Sequence, residues 1–381
     1  LKVVHIVRQF SPAVGGLESA VLSLARAQSE TLGLDVRIVT LDRLFGKPAK
    51  LAATEIVAGL PVTRLPWRGS SRYPLAPGVL PALRDADIVH VHAIDFFFDF
   101  LALTWIFHRR AMIASTHGGF FHTTRFSALK TLWFNTLTRL SALAYGQVVA
   151  CSQSDWTMFA QACARRLALV ENGIDQDKFA GAAAARQTRT IICFGRLTAH
   201  KRVADLLPLL AALRVHHPDW RLIIAGGEGD QTFAALAETA ACCGVADAVD
   251  FVRDPSDQEL RAQCGQASFF ASLSRYEGFG LAAVEAMSAG LLPLLSDIAP
   301  FRRLQELAPE IVILAPEAPE AAAALIESRL LPDAAYTAQR QRLQNAVQHY
   351  DWQQVARRYG GIYQARLQRR CPAPAAMGRR V

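Results

Sequence analysis

Ala267-Ser268-Phe269-Phe270-Ala271, followed by Glu277-Gly278-Phe279-Gly280-Leu281-Ala282-Ala283-Val284-Glu285, is the stretch that decides the fold. The first run is short and apolar, as a strand buried on both faces must be. From Leu281 to Ala289 the pattern reads as a helix, so the Gly-rich turn sits at a helix N-terminus. Unpaired backbone N–H groups and the positive end of the helix dipole favour an anion there, most simply a diphosphate. Gly278 and Gly280 allow close approach of the backbone to a ligand. Glu277 and Glu285, eight residues apart, bracket the turn. Carboxylates repel phosphate, so both are expected to accept from hydroxyls, a sugar on one side and a ribose on the other. The chemistry fits a sugar nucleotide.

Working outward, strand-like runs alternate with helical stretches, the pattern of parallel sheets covered on both faces. In the first half they are 3–7, 36–40, 87–91, 112–115, 147–150 and 167–171. After the Gly/Ala-rich segment 181–188 the pattern restarts at 190–194, 221–225, 249–252, 267–271, 292–295 and 311–314. This predicts two doubly wound α/β domains, 1–178 and 186–349, joined near 176–188. Ligands of such folds bind beyond the carboxyl ends of the strands, here the cleft between two domains.

Three further motifs each follow a strand. Phe194-Gly195-Arg196-Leu197-Thr198-Ala199-His200-Lys201 places a guanidinium and an ammonium five residues apart across a turn, able to converge on one diphosphate. Cations aimed at a departing diphosphate stabilise the transition state more than the ground state. Ser115-Thr116-His117-Gly118-Gly119 ends a strand with a histidine beside two glycines, so His117 is a candidate for the cleft, while His122 and His200 have no role. Gly15 and Gly16, in Ser11-Pro12-Ala13-Val14-Gly15-Gly16-Leu17-Glu18, would let the chain pass close to a phosphate or an acceptor. Gly227-Glu228-Gly229 lacks the third small residue of a dinucleotide fingerprint, because Thr232 stands there. Asp85-Ala86-Asp87 precedes its strand, at the end opposite the ligand, and reads as a solvated turn.

These motifs resemble the retaining GT-B glycosyltransferases of the E-x7-E, family 4 type. The resemblance covers nearly the whole chain and implies two Rossmann-like domains facing across a deep cleft. It implies that the first domain binds the acceptor and the second the sugar nucleotide, with a C-terminal helix over 350–371 packing back on the first domain and a basic tail at 372–381. It also implies catalytic roles for Glu277, Lys201, Arg196 and His117. Donor binding would fall to Glu285, Gly278, Phe279, Gly280, Leu281, Gly15 and Gly16, and the nucleotide base to Gly226, Gly227 and the turn after Val252. Arg202, Arg253 and Ile298-Ala299-Pro300 depart from the pattern, where smaller residues or glycines are usual. A narrower resemblance lies in Trp67–Pro74, His92–Asp99 and Thr116–Thr123, to α-1,3-mannosyltransferases of exopolysaccharide assembly. It implies GDP-mannose as donor and a cellobiose on polyprenyl diphosphate as acceptor. Asp95 and Asp99, in a Phe-rich loop, would bind acceptor hydroxyls or buttress that loop.

Composition bounds the rest. At 381 residues with 51% hydrophobic and 19% charged, the chain can bury two cores. Seven cysteines form no metal-spaced or C-x-x-C cluster, and they are expected to be free thiols in a reducing cytosol. Leu1 to Val7 reads as a first strand and not as a secretory signal. The net charge is +8, and residues 1–175 hold 18 Lys and Arg against 12 Asp and Glu. No nucleic-acid motif accompanies that charge, so an anionic membrane surface or a diphosphate-bearing acceptor suits it better. The helical stretch 120–145 and Trp105-Ile106-Phe107-His108-Arg109-Arg110 mix aromatic and basic residues, as a lipid interface or an ordinary core helix with a basic edge would. The expectation is a cytoplasmic enzyme on the inner face of the membrane, with no metal and no cofactor beyond its donor. A UDP-sugar donor, a nucleotide-sugar epimerase on the same fold and a non-catalytic assembly partner remain open alternatives.

Overall fold

The computed structural model describes residues 1–13, 15–71, 73–118 and 132–368. The stretch from Gly119 to Lys130, with His122, Arg125 and Lys130, and the basic tail at 372–381 lie outside the described residues. The chain divides into two compact units, one of Leu1–Gly173 with the segment from Trp352 onward, the other of Ile174–Asp351. The crossing thus precedes the Gly/Ala-rich segment that composition marks as the junction. Phe179 is already in the second unit's core, and the short helix Gln176–Phe179 packs on Leu281–Ala289.

The first unit holds strands β1 (Lys2–Ile6), β2 (Asp35–Leu41), β3 (Thr54–Val57), β4 (Leu60–Leu65), β5 (Arg68–Ser70), β6 (Tyr73–Leu75), β7 (Ile88–His92), β8 (Ala111–Ser115), β9 (Gln147–Ala150) and β10 (Leu167–Leu169). Eight of these form one sheet in the order β10-β9-β8-β7-β1-β2-β4-β3, parallel except for β3, while β5 and β6 pair as a separate hairpin. Four of these strands, β3 to β6, are additional to those the sequence pattern marks. Ala58 and Gly59, both at positive φ, turn β3 into β4 without the usual Asn-Gly signal, and Pro61 disguises β4.

Period-2 alternation sorts the side chains of this sheet. Val4, Ile6, Val89 and Val91 face one core, and Val3, Ile88, Val36 and Ile38 the other. The second face is covered by helices α1 (Gly16–Leu32) and, near the end of the chain, Trp352–Gln368, which pack on each other. The latter buries Val355, Ala356, Tyr359 and Tyr363 at helical spacing. Each large side chain so buried stabilises the unit by about 2 kcal/mol, and this is why the C-terminal helix belongs to the first unit. Asp85 and Asp87 sit before β7, as expected of a turn: Asp85 pairs with Arg37 and Lys2, and Asp87 accepts from the Lys2 backbone N–H at 2.8 Å.

The second unit contains β11 (Thr190–Phe194), β12 (Arg221–Gly226), β13 (Val249–Arg253), β14 (Phe269–Ser272), β15 (Leu292–Ser296) and β16 (Val312–Leu314). All are parallel, in the order β13-β12-β11-β14-β15-β16. The chain winds one way from β11 and then the other way from β14, so the two neighbours diverge at their carboxyl ends. Gly226 leaves β12 at φ 148°, and a Cβ there would lie 1.9 Å from the Gly195 carbonyl oxygen. The close approach of these two backbones fixes the turn after β11.

Gly226→Ala therefore forces backbone apart and is expected to cost about 3 kcal/mol or more. Gly244→Ala, at φ 69° in open space, meets only left-handed strain of about 1–2 kcal/mol. Denaturant midpoints of the two variants check the ranking, and equal shifts would refute the steric reading.

Candidate active site

In the second unit, the predicted motifs meet where β11 and β14 part. The turn after β11 runs through Gly195, at φ 127°, into the 3-10 turn Ala199–Lys201. Its far side is tied to the loop after β12: Leu197 N–H donates to Gly227 O at 2.8 Å, and Ala199 N–H to Asp230 at 2.8 Å. Gly227 and Gly229 thus serve a loop that packs on the cationic turn, and Asp250 is held by a two-pronged contact from Arg221. No part of that region forms a dinucleotide fingerprint.

The near side is tied to the loop after β14. Arg275 N–H donates to His200 O at 2.8 Å, and the His200 and Tyr276 rings stack at 4.5 Å. His200, without a role in the sequence, is thus the joint between the two loops. Lys201 Nζ packs over Gly195, where a Cβ would stand 2.8 Å from it. Arg196 is exposed, and neither cation forms an ion pair with a described residue. Arg202 stands where a glycine is usual because φ is 54° there; ion pairs to Asp205 and Glu317 hold it in place. Arg253, the other departure, lies over the Phe233 ring at 4.7 Å and pairs with Glu228.

Glu277 accepts from Ser274 Oγ at 2.8 Å, and Ser296 Oγ in turn holds the Ser274 carbonyl at 2.6 Å. Gly280, at φ 87°, opens the helix Leu281–Ala289; a Cβ there would meet the Phe301 ring at 2.8 Å. Among the described residues no side chain caps this helix, and no acid lies in its first turn, so its first N–H groups and the positive end of its dipole are uncompensated. Gly278 stands in open space, Phe279 packs on Tyr350, and Leu281 on the core. Burial pushes the Glu285 carboxyl up, while Lys178 and Lys201 pull it down. Lys178, held by Asp257 at 2.7 Å, is a site neighbour that sequence reading misses, because it precedes the first strand of its own unit.

In the first unit the strand order reverses between β1 and β7, and the remaining candidates gather at those carboxyl ends. Gly15 adopts extended backbone as the N-cap of α1, and Gly16 borders open space. Buried Arg64 pins the approach by donating to Ser11 O at 2.6 Å. Asp95 caps helix α2 (Phe96–Leu103), its Oδ1 accepting from Phe97 N–H at 2.9 Å. Its buried Oδ2 has no hydrogen-bond partner among the described residues and lies 4.0 Å from Arg8 Nε. Burial pushes the Asp95 carboxyl up to about 7, with Arg8 opposing. Asp99 is committed to Ser141 at 2.7 Å and to Tyr73 at 3.3 Å, so it braces the Phe-rich helix.

His117 follows β8 at φ 50°, a left-handed conformation uncommon outside glycine. Asp155, at the start of helix α3 (Gln153–Cys163), holds that bend by accepting from Thr116 Oγ1 and from Gly118 N–H at 2.9 Å. Behind His117 lies a row of buried rings. His117 Nε2 is 2.9 Å from His92 Nδ1, His92 Nε2 is 2.8 Å from His5 Nδ1, and His5 Nε2 is 2.8 Å from Gln28 Oε1. Desolvation holds all these imidazoles neutral, His5 and His117 falling to about 4. One nitrogen each of His5, His90 and His92 lies within 4.8 Å of the others. Every ring nitrogen of the three is hydrogen-bonded to protein, so the cluster forms a polar seam through the sheet face. The signal was present in His90-Val91-His92, whose alternation puts both rings on one face of β7.

Residues 14–178 match the family Glycosyltransferase Family 4, and residues 175–349 match Glycosyl transferases group 1. A GDP-mannose:cellobiosyl-diphosphopolyprenol alpha-mannosyltransferase of Komagataeibacter xylinus is 50% identical over 98% of this chain and 95% of its own. The Xanthomonas campestris enzyme of the same name is 49% identical over 96% of this chain and 97% of its own. Among solved structures, Anabaena HepE in complex with UDP and glucose superposes with a TM-score of 0.73 at 18% identity, covering 96% of this chain and 99% of that one. With β11 and β14 carrying the cationic turn and the acidic pair, and with relatives this similar along their whole length, the chain belongs to the two-domain family 4 glycosyltransferases.

Proposed function

We propose that this protein transfers mannose from GDP-mannose, with retention, to position 3 of a cellobiose carried on polyprenyl diphosphate, in the building of an exopolysaccharide. The observation that carries the reading is the joining of the Arg196–Lys201 turn to the Glu277 loop at the switch point between β11 and β14. The whole-length relatives, named for GDP-mannose and the cellobiosyl lipid, favour that donor and acceptor over a UDP-sugar or an epimerase.

In this mechanism Arg196, Lys201 and the N–H groups of Gly278 to Leu281 hold the diphosphate. Glu277, oriented by Ser274, accepts from the sugar hydroxyls, and Glu285 from the ribose. The bond between the anomeric carbon and the diphosphate oxygen breaks as the acceptor oxygen bonds from the same face. The acceptor proton passes to the departing diphosphate. Two cations and a helix dipole offset the growing charge, so no metal is required. The reading assigns His117 to the sugar, and Asp95 with Arg8 to acceptor hydroxyls.

The acceptor's lipid explains a surface of the first unit. Leu103, Ile106 and Phe107 are exposed, Phe107 at 79%, beside Arg109 and Arg110. Leu140 and Leu143 are also exposed, on and just after the helix Arg139–Ala142, which packs on α2. Phe134 is buried against Phe159, and Trp133 sits edge-on to Tyr73, so those two rings are core and rim. Among the described residues no helix is long and apolar enough to cross a membrane. We infer peripheral contact with the cytoplasmic leaflet through these side chains.

Lys201→Ala is expected to lower kcat by about 100-fold or more with little change in donor KM. Glu285→Gln is expected to raise the KM for GDP-mannose and weaken GDP binding by about 10-fold. Initial rates with cellobiosyl-diphospho-lipid check both, and near wild-type values for both would contradict the scheme. Transfer should persist in EDTA; abolition by EDTA with recovery on adding magnesium or manganese would show a required metal. Ile106→Ser with Phe107→Ser should weaken sedimentation with anionic vesicles while leaving transfer to a short-chain soluble acceptor unchanged. Unaltered vesicle binding would remove the membrane assignment.

A further inference from the structure

The row of rings behind His117 has a direction, and its source is Gln28. On the sheet face covered by α1 and helix α4 (Trp352–Gln368), period-2 alternation places His5, His90 and His92 where apolar side chains would otherwise pack. Gln28 Nε2 donates to the Tyr363 hydroxyl at 2.9 Å, so its carbonyl oxygen is the atom facing His5. A carbonyl only accepts, and His5 Nε2 must therefore carry the proton. A neutral imidazole has one such proton, which leaves His5 Nδ1 bare and makes His92 Nε2 the donor to it. The same step repeats: His92 Nδ1 is bare, and His117 Nε2 donates. His117 Nδ1 is left as a lone pair, with no hydrogen-bond partner among the described residues. The other branch starts at the Tyr363 hydroxyl, which donates to His90 Nδ1 at 2.7 Å; His90 Nε2 then donates to Ser115 Oγ at 2.8 Å, and Ser115 to Tyr359 at 2.8 Å.

We propose that Gln28 is a positioning residue for His117: acting through His5 and His92, it fixes His117 as the Nε2–H tautomer, so that His117 meets the sugar only as a hydrogen-bond acceptor. The inference rests on the reading above that His117 lies by the donor sugar. It assigns His117 no part in proton transfer. A sugar hydroxyl satisfies its Nδ1, and a bare carbonyl or phosphate oxygen does not.

No described carboxylate is hydrogen-bonded to these four rings, which supports their neutrality. Among the described residues, the groups facing them are Ser115 from β8, Cys151 after β9, Gln28 from α1, and Tyr359 and Tyr363 from α4. Asp155 stands beside His117 but is engaged by Thr116 and Gly118. Burial pushes the Cys151 thiol up to about 12 and both tyrosines upward, so these groups stay neutral through the neutral range. Desolvation lowers the histidines to about 4 where a value is resolved, so they too stay neutral until the pH falls well below 6.

Gln28→Glu tests the direction. A carboxylate at this position favours a doubly protonated His5, whose Nδ1–H then donates to His92 Nε2. His92 must donate from Nδ1 to His117 Nε2, and His117 becomes the Nδ1–H tautomer, turning its open atom from acceptor to donor. Two-bond nitrogen–proton NMR on protein labelled with 15N-histidine, with His117→Gln supplying the assignment, should show Nε2–H for His117 in the wild type and Nδ1–H in Gln28→Glu. Transfer by Gln28→Glu should fall about 10-fold or more at neutral pH. It should recover as rising pH removes the extra proton from His5, whereas wild-type turnover is insensitive to this seam over the same range. Should Gln28→Glu not fold, Tyr363→Phe frees the amide to turn over, and the His117 signals should report both tautomers. An Nδ1–H tautomer or an imidazolium for wild-type His117 at neutral pH would overturn the proposal, as would an unchanged tautomer and pH profile in the variant. The NMR needs no substrate: the expected tautomers in a protein that fails to transfer mannose would sink the proposed function and leave the Gln28 assignment standing.

Discussion

The contact on which the second unit's site depends is backbone against backbone. Gly226 passes so close to the Gly195 carbonyl that no side chain fits between them. This approach presses the turn after β11 toward the turn after β12, while the Arg275–His200 hydrogen bond draws it toward the loop after β14. Strands that part company at a reversal of order leave a crevice at their carboxyl ends. Here the crevice is floored by tied loops, so Lys201 and the N-terminus of Leu281–Ala289 are held in place before any ligand arrives. Preorganised charge of this kind costs no rearrangement at the moment of reaction.

The two units solve the same problem with different chemistry. In the second unit the crevice is built from cations, free N–H groups and two carboxylates, all suited to a charged, hydroxyl-rich donor. In the first it is built from neutral imidazoles, a capped aspartate and one arginine. A row of buried histidines is costly unless each nitrogen is satisfied, and here α1 and the C-terminal helix supply the partners. Tyr359 and Tyr363 bring those partners from the far end of the chain, so the C-terminal segment contributes to the first unit's site as well as to its stability.

Much of the fold was legible because parallel strands buried on both faces announce themselves as short apolar runs. The twelve strands read from the pattern are present, with ends shifted by a residue or two. β3 and β4 escaped because Ala58-Gly59 is a weak turn signal and Pro61 breaks an otherwise plain run. Around the candidate site, the positions of Glu277, Glu285, Arg196 and Lys201 beside β11, β14 and the helix Leu281–Ala289 were readable because each stands at a fixed offset from a strand or a helix start. His200 and Lys178 were not, since their roles come from stacking and from packing between distant segments. Arg202 looked like a departure from the pattern, yet it keeps the left-handed backbone a glycine would supply and adds two ion pairs. Gln28 could not be found from sequence, because its importance lies in which end of its amide faces His5.

The central claim is that a diphosphate sits where β11 and β14 part, between the turn ending at Lys201 and the N-terminus of Leu281–Ala289. A crystal structure of the protein with GDP-mannose tests it most directly. The account predicts diphosphate oxygens within hydrogen-bonding distance of Lys201 Nζ and the backbone N–H groups near Gly280, with Glu285 on the ribose. A diphosphate bound elsewhere, or Lys201 and Glu285 both turned away from the nucleotide, would contradict it.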